Sequence, residues 1–301
     1  MNLRRPILIE SAPVHSLYDA TRTMLAKAAE LKDRGDDSVH SARQRMKRIR
    51  AALRLLRAAL GDVSYRAANK EVRDASRPLT AVRDAAALLA ALQGLRRSGD
   101  GEMLESYVEQ AGRLLSEELT ARRRKLTGQV LHLSAVGLNR ISERLSSVPA
   151  KEPEIASARS GMRRVYKQGR AAYADARRRR ATETLHEWRK QAKYLASQAS
   201  LVRTLFGADL KKIRRPSQKV GTLLGEDHDL VLLEAKLQEL HDRGSLPADA
   251  GAQAILKQRI HRRREKLQAK SFDVGKRLYR RSPAKIEAAL AKSIANNSAQ
   301  K

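Results

Sequence analysis

The chain has 301 residues, of which 62 are Lys or Arg against 33 Asp or Glu, for a formal charge of +29. A charge of that size repels itself in a folded domain, and a polyanionic partner is the simplest compensation. The absence of cysteine excludes disulfides and thiolate metal sites and fits a reducing, cytoplasmic setting, and no run of about 18 apolar residues is available to span a membrane.

The hydrophobic fraction of 42% is mostly Ala and Leu, which favours helix, and no segment alternates with the period of a strand. Residues 1–12 read as an irregular arm with a short apolar run and no export-type core. A helix is predicted from Val14 to Lys32. Gly35-Asp36-Asp37-Ser38 is a turn, with Ser38 placed to cap the next helix.

That next helix, Val39 to Leu60, carries two stripes. Val39, Ala42, Met46, Ile49, Leu53, Leu56 and Leu60 recur at spacings of 3 and 4 and form one apolar face. One residue on, at the same spacing, come His40, Arg43, Lys47, Arg50, Arg54 and Arg57. A step of one residue is about 100° of helix rotation, so a cationic stripe roughly 25 Å long runs beside the core stripe. Gly61-Asp62 ends the helix. A helix over Tyr65 to Leu95 follows, with a kink or break expected at Pro78. Ser98-Gly99-Asp100-Gly101 is a turn, and one long helix is expected from Glu102 to Leu145. The stretch Ser146 to Pro153 reads as the linker between halves. Beyond it come helices over Ile155 to Arg180, Leu185 to Phe206, Ala208 to His241 with Pro216 near its start, and Pro247 to Tyr279. The tail after Pro283 adds a short helix.

The second half repeats the first. In Leu185 to Phe206 the core stripe is Leu185, Trp188, Ala192, Leu195, Ala199, Val202 and Phe206, with His186, Arg189, Lys193 and Arg203 one residue on. At an offset of 146, His40 falls on His186, Arg43 on Arg189 and Lys47 on Lys193, while Arg50 and Arg54 meet neutral Ala196 and Ser200. At an offset of 148, His15, Tyr18 and Arg22 fall on Arg163, Tyr166 and Arg170; at 145, Arg83-Asp84 falls on His228-Asp229. Repeats in this order predict a duplicated helical unit, one bundle over 14–148 and a second over 154–282, flanked by the arm at 1–12 and a tail at 284–301.

The two histidine helices and the later LGEDHDL motif resemble the signature of CHAD domains, histidine-bearing α-helical domains, and the resemblance covers nearly the whole chain. It implies an all-α fold of two pseudo-symmetric antiparallel four-helix bundles around a basic groove or channel. It also implies binding of inorganic polyphosphate, with some relatives on polyphosphate granules. Some relatives carry an added triphosphatase domain of the CYTH type; this chain shows no strand-like run to build one and reads as a stand-alone binder. The neutral Ala196 and Ser200, and His228 opposite Arg83, depart from strict repetition and thin the second half's stripe.

The residues support this reading on their own terms. A solvated helix face interleaves Glu with Lys, yet Val39 to Leu60 contains no acidic residue. Like charges four apart destabilise a helix by ~0.2–0.5 kcal/mol per pair, so the stripe calls for an anion. His40 and His186 have three readings: zinc, phosphate contact, or a structural hydrogen bond. Arg and Lys three and seven residues on disfavour a cation, and no Cys or HxxxH partner is present. The phosphate-binding set read from the sequence is Tyr18, Arg22, His40, Arg43, Lys47, Arg50, Arg54, Arg163, Tyr166, Arg170, His186, Arg189, Lys193, Lys212 and Lys219. Asp84 and Asp229 are read as holding neighbouring arginines, not as touching the anion. Basic runs at Arg122–Lys125, Arg177–Arg180 and Arg262–Arg264 wrap whole helices and are read as outer surface that steers an anion inward. No Gly-rich phosphate loop, defensible catalytic triad or magnesium-binding carboxylate cluster appears, so neither catalysis nor a cofactor is expected. Nucleic acid is the weaker alternative partner, since aromatics make up only 3% of residues and no stacking platform or helix-turn-helix is present. A scaffold bringing an enzyme of phosphate metabolism to polyphosphate would use the same surface.

Overall fold

The computed structural model describes residues 16–30, 36–97, 101–147, 153–208 and 210–298. The arm, the capping side chain of Ser38, the centre of the turn at 98–100 and the linker residues 148–152 lie outside the described residues. Those described form α1 (Leu17–Ala29), α2 (Asp36–Leu55), α3 (Arg57–Leu60), α4 (Asp62–Gln93), α5 (Glu102–Lys125), α6 (Gly128–Ser147), α7 (Glu154–Arg179), α8 (Thr182–Phe206), α9 (Lys211–Asp242), α10 (Ala250–Leu278) and α11 (Pro283–Ser298), and no strand. The fold is all-α, as the composition and periodicity require.

Two differences from the predicted elements have local causes. The first histidine helix does not run unbroken to Leu60 but breaks at Leu56. Ser157 of α7 stands in the ladder there: its hydroxyl donates to the Leu55 carbonyl at 2.8 Å and accepts from Ala59 N at 3.1 Å. A side chain inserted between an i carbonyl and its i+4 amide is a known cause of a helix break. The expected helix over 102–145 is two helices, α5 and α6. Leu126 and Thr127 separate them, and the Thr127 hydroxyl accepts from Val130 N at 3.3 Å, capping the new start. By contrast α4 runs through Pro78, and α9 through Pro216, without interruption.

Before residue 150, α1 packs on α2 and α6, and α4 packs on α2, α5 and α6. After it, α8 lies between α7 and α9, α10 covers α9, and α11 covers α7. The halves meet where α2 crosses α8 and α4 lies on α9, with α2 and α3 also resting on α7. At Gly161 of α7 the approach is close: a Cβ there would stand 2.8 Å from the Arg54 carbonyl oxygen and 2.9 Å from Leu55 Cα. Glu154, the first residue of α7, caps α1 by accepting from Leu17 N at 2.7 Å and Tyr18 N at 3.2 Å. A carboxylate there satisfies two orphan amides and the positive end of the helix dipole.

Buried apolar residues form two clusters, and both draw on both halves. One joins α1, α2, α3, most of α4 and α6 to α7, α8, the start of α9 and α11. The other joins the end of α4 and α5 to the later turns of α9 and to α10.

Candidate functional site

The core stripes of the histidine helices are buried, which fixes where their cations point. Val39, Ala42, Met46, Ile49, Leu53, Leu56 and Leu60 are at most 3% exposed, and Leu185, Trp188, Ala192, Leu195, Ala199 and Val202 at most 2%. The residues one step on therefore lie along the rim of each buried face, and where α2 crosses α8 the two rims meet.

At that crossing five cations from three helices come together: Arg43 and Lys47 of α2, Arg83 of α4, and Arg189 and Lys193 of α8. Each of Arg43, Lys47 and Lys193 feels the charges of Arg83 and Arg189. Two carboxylates stand among them. Arg83 donates both terminal nitrogens to Asp229 of α9 at 3.0 Å, a bidentate pair, and one of them also to Asp84 at 3.2 Å. Burial works against the Arg83 charge, but Asp229 and Asp84 outweigh it and hold its pKa above the ordinary value.

The other four cations are not so matched. Burial, with mutual repulsion added, pushes the pKa values of Arg43 and Arg189 down. The same causes bring Lys47 to about 8 and Lys193 to about 6. Lys47 keeps solvent access while protein crowds it, as a side chain lining a groove does. Lys193 lies against α9, where a Cβ on Gly221 would stand 3.0 Å from its Cγ and one on Gly225 3.6 Å from its Nζ. Two glycines one turn apart thus make room for its side chain. Arg43 Nη1, Arg189 Nε and His228 Nδ1 are buried with no hydrogen-bond partner. Buried polar atoms of this kind are rare in a finished fold and mark a place where a ligand or water belongs.

Two histidines flank the cluster. The rings of His186 and His228 lie 4.7 Å apart at 56°. Burial first, then Arg189, lowers both, His228 to about 4. In the free protein burial, with the nearby cations, disfavours the charged form of both rings, which a bound anion would favour. His40 is exposed and places Nε2 3.3 Å from the Gln44 amide nitrogen. Among the described residues no group of three or more His, Asp or Glu is placed to hold a metal.

Further along α2 the stripe is tethered. Arg50 Nε donates to Asn69 Oδ1 at 3.0 Å, and Arg54 donates to the same oxygen at 3.3 Å and to the Arg50 carbonyl at 2.8 Å. The Arg54 guanidinium lies 3.6 Å from the centroid of the Tyr194 ring, a cation–π contact between α2 and α8.

The remaining sequence-predicted residues stand elsewhere. Tyr166 is a correction: it is 0% exposed, and its hydroxyl donates to the carbonyls of Leu278 at 2.9 Å and Arg281 at 3.0 Å, so it braces α7 against the end of α10 and faces no ligand. Its spacing match, Tyr18, is half-buried with a buried hydroxyl, and Arg22 is exposed beside Asp19 at 3.9 Å. Arg163 of α7 pairs with Glu287 of α11 at 3.0 Å, and Arg170 is exposed further along α7. Lys212 and Lys219 are exposed on α9, roughly 140° and 120° around the helix from Gly225. The site gains Arg83, His228, Asn69 and Tyr194, which the stripes alone did not single out. The alignment of Arg83-Asp84 with His228-Asp229 was the available signal.

Chemically, this is a set of convergent donors. Its two carboxylates are engaged by Arg83 and so are not poised as bases, while the unmatched cations and orphaned N–H groups suit a chain of oxyanions. In comparison with known proteins, the sequence model of the CHAD domain family matches residues 16–238. The fold is similar to the crystal structure of the CHAD domain from the plant Ricinus communis, with a TM-score of 0.55 and 17% identity over 96% of this chain and 97% of that one. No curated protein matches the chain in sequence.

Proposed function

Because this chain belongs to the CHAD domain family, we propose that it binds inorganic polyphosphate, without catalysis, in the groove where α2 crosses α8. One observation carries this reading. Arg43, Lys47, Arg189 and Lys193 converge with too few carboxylates to match them, and Arg43 Nη1 and Arg189 Nε are buried and unpartnered. A folded protein keeps such a cluster at a cost, and a multivalent anion offsets it. Phosphate oxygens accept from the arginine forks and the lysine ammonium groups, and displaced counterions make binding fall steeply with salt. His40, His186 and His228 each offer a ring N–H to phosphate oxygens. Asp229 and Asp84 orient Arg83 from behind. On this reading the protein is cytoplasmic, attaches to polyphosphate granules and needs no metal or other cofactor.

A competition tests it. Labelled long-chain polyphosphate, bound at physiological salt, is challenged with duplex DNA, single-stranded RNA and short phosphates. Polyphosphate is expected to compete far better per charge than either nucleic acid. Equal competition by DNA or RNA would make the groove a general polyanion surface. Reversing Arg43, Lys47 and Arg50 to Glu is expected to abolish binding in the groove with the helical circular dichroism intact; unaltered binding by that variant refutes the groove.

A further inference from the structure

Lys47 and Lys193 hold the same place in the repeat, but the helices beside them differ. At the offset of 145, Ser76 and Thr80 of α4 stand where α9 has Gly221 and Gly225. Glycine inside a helix is destabilising, so two of them one turn apart call for a reason. Lys193 supplies it: its stem lies over Gly221 and its amine over Gly225. A Cβ on Gly225 would stand 3.6 Å from Lys193 Nζ and 3.8 Å from Arg189 Nε. The amine and that guanidinium nitrogen therefore share the space above one bare backbone position. Lys193 keeps part of its surface in solvent, so a small molecule in the groove has access to it.

Among the described residues no carboxylate pairs with Lys193. The charge of Asp229 reaches it, but that side chain is gripped by Arg83. The other charges upon it are cations: Lys47 of α2, Arg83 of α4 and Arg189 of α8. Burial and these cations bring its pKa to about 6. At pH 7.5 such an amine is almost wholly neutral, where about one ordinary lysine in a thousand is. A neutral amine carries a lone pair, and a lysine partly desolvated beside other cations is an activated nucleophile. Close by, Arg43 Nη1 and Arg189 Nε are buried without partners and suit phosphate oxygens. The electrophile that fits carries a phosphoryl group for the arginines and a carbonyl carbon for the amine. In an acyl phosphate the phosphate is also the leaving group, and the arginines stabilise the charge that develops on it.

We propose that Lys193 is a site of acylation by small acyl phosphates, which Arg43 and Arg189 hold by the phosphoryl group while the amine attacks the carbonyl carbon. The Nζ lone pair forms the amide C–N bond. The acyl C–O bond breaks, its electron pair leaves on phosphate, and one amine proton goes with it. Acylation removes a groove cation, so the hold on polyphosphate becomes sensitive to the acyl phosphate around the protein. The assignment rests on the groove taking phosphoryl oxygens.

Acetyl phosphate at pH 7.5, followed by peptide mass spectrometry over time, tests it on the wild-type chain. Lys193 gains acetyl roughly tenfold faster than exposed Lys125 and Lys219. Its rate saturates with acetyl phosphate, and tripolyphosphate suppresses acetylation at Lys193 but not at Lys125. The acetylated protein binds long-chain polyphosphate about tenfold more weakly at pH 6. The N-hydroxysuccinimide ester of acetic acid, which has no phosphoryl group, is the comparison. A Lys193 rate no faster than that of Lys125 overturns the proposal. The same ratio of Lys193 to Lys125 with the ester as with acetyl phosphate, or no protection by tripolyphosphate, overturns the phosphoryl-guided step. Polyphosphate binding measured on the same preparation separates the two readings. Binding without acetylation of Lys193 sinks this proposal alone. Acetylation without binding leaves Lys193 a modification site and removes polyphosphate from the groove.

Discussion

Polyphosphate binding should fall steeply as pH rises from 7 to 8, in a range where ordinary lysines do not titrate. Lys193 is brought to about 6 and Lys47 to about 8 by burial and by the arginines around them. A polyanion offsets both causes by placing negative charge beside the lysines, so the complex holds both ammonium groups charged. Binding then takes up protons: about one per site at pH 7, mostly at Lys193, and about 1.5 at pH 8. The affinity loss between those pH values is roughly 20-fold, about tenfold from Lys193 and about twofold from Lys47. Long chains are the right ligand, because only terminal phosphates, with a second pKa of about 6, change charge nearby. Calorimetry at fixed ionic strength, in two buffers of different ionisation enthalpy, reads affinity and proton uptake together. Lys193→Arg keeps the charge at every pH and should reduce the loss to about twofold. Lys193→Met also removes its share of the pH dependence and binds more weakly at pH 6. A pH-independent wild-type affinity, or an undiminished 20-fold loss in Lys193→Arg, refutes the reasoning. Stability of the free protein moves the other way. The unfolded chain, with a lysine pKa near the ordinary 10.5, binds more protons than the fold between about 6 and 10.5. The unliganded fold therefore gains stability as pH rises through that window.

Asp229→Asn removes the charge that Arg83 grips and should lower the melting temperature of the free protein by the equivalent of ~1–3 kcal/mol, while added polyphosphate recovers most of the loss. An unchanged melting temperature would show that the pair does not brace the groove. Gly161→Ala gains helix propensity yet drives a Cβ into the α2 backbone, so a net loss of about 1–3 kcal/mol is expected in denaturant melts; a gain would refute the close approach. Tyr166→Phe should cost about 1 kcal/mol in stability and leave polyphosphate affinity within twofold. A large binding defect in a folded Tyr166→Phe protein would return that hydroxyl to the ligand.

The helices, and the two faces of each histidine helix, were legible because they are properties of one segment. A period near 3.6 reports which residues share a side, and a missing Glu reports that the side is not ordinary solvent-facing helix. Which helices abut is a property of pairs far apart in the chain. Nothing near Arg83 announces Asp229, 146 residues away, nor does Leu56 announce that a serine of α7 will interrupt its helix. Tyr166 shows the limit from the other side. It shares its spacing with Tyr18, but spacing records a register and not what covers it, and the end of α10 covers Tyr166. The Thr127-Gly128 start of α6 has the chemistry of a cap, but the apolar pattern runs on across it and hides the break.

The interleaving of the two apolar clusters has a consequence for synthesis. A chain leaves the ribosome N-terminus first, so α1 to α6 emerge while every residue that completes their cores is still to come. Leu17 waits for Glu154, Leu55 for Ser157 and Arg83 for Asp229. Contacts of such long sequence separation make folding slower than the helical content suggests. They also keep the groove from existing before α8 and α9 are out. A nascent chain, however basic, presents only scattered charge, and the convergence of cations at the α2–α8 crossing exists only in the finished molecule.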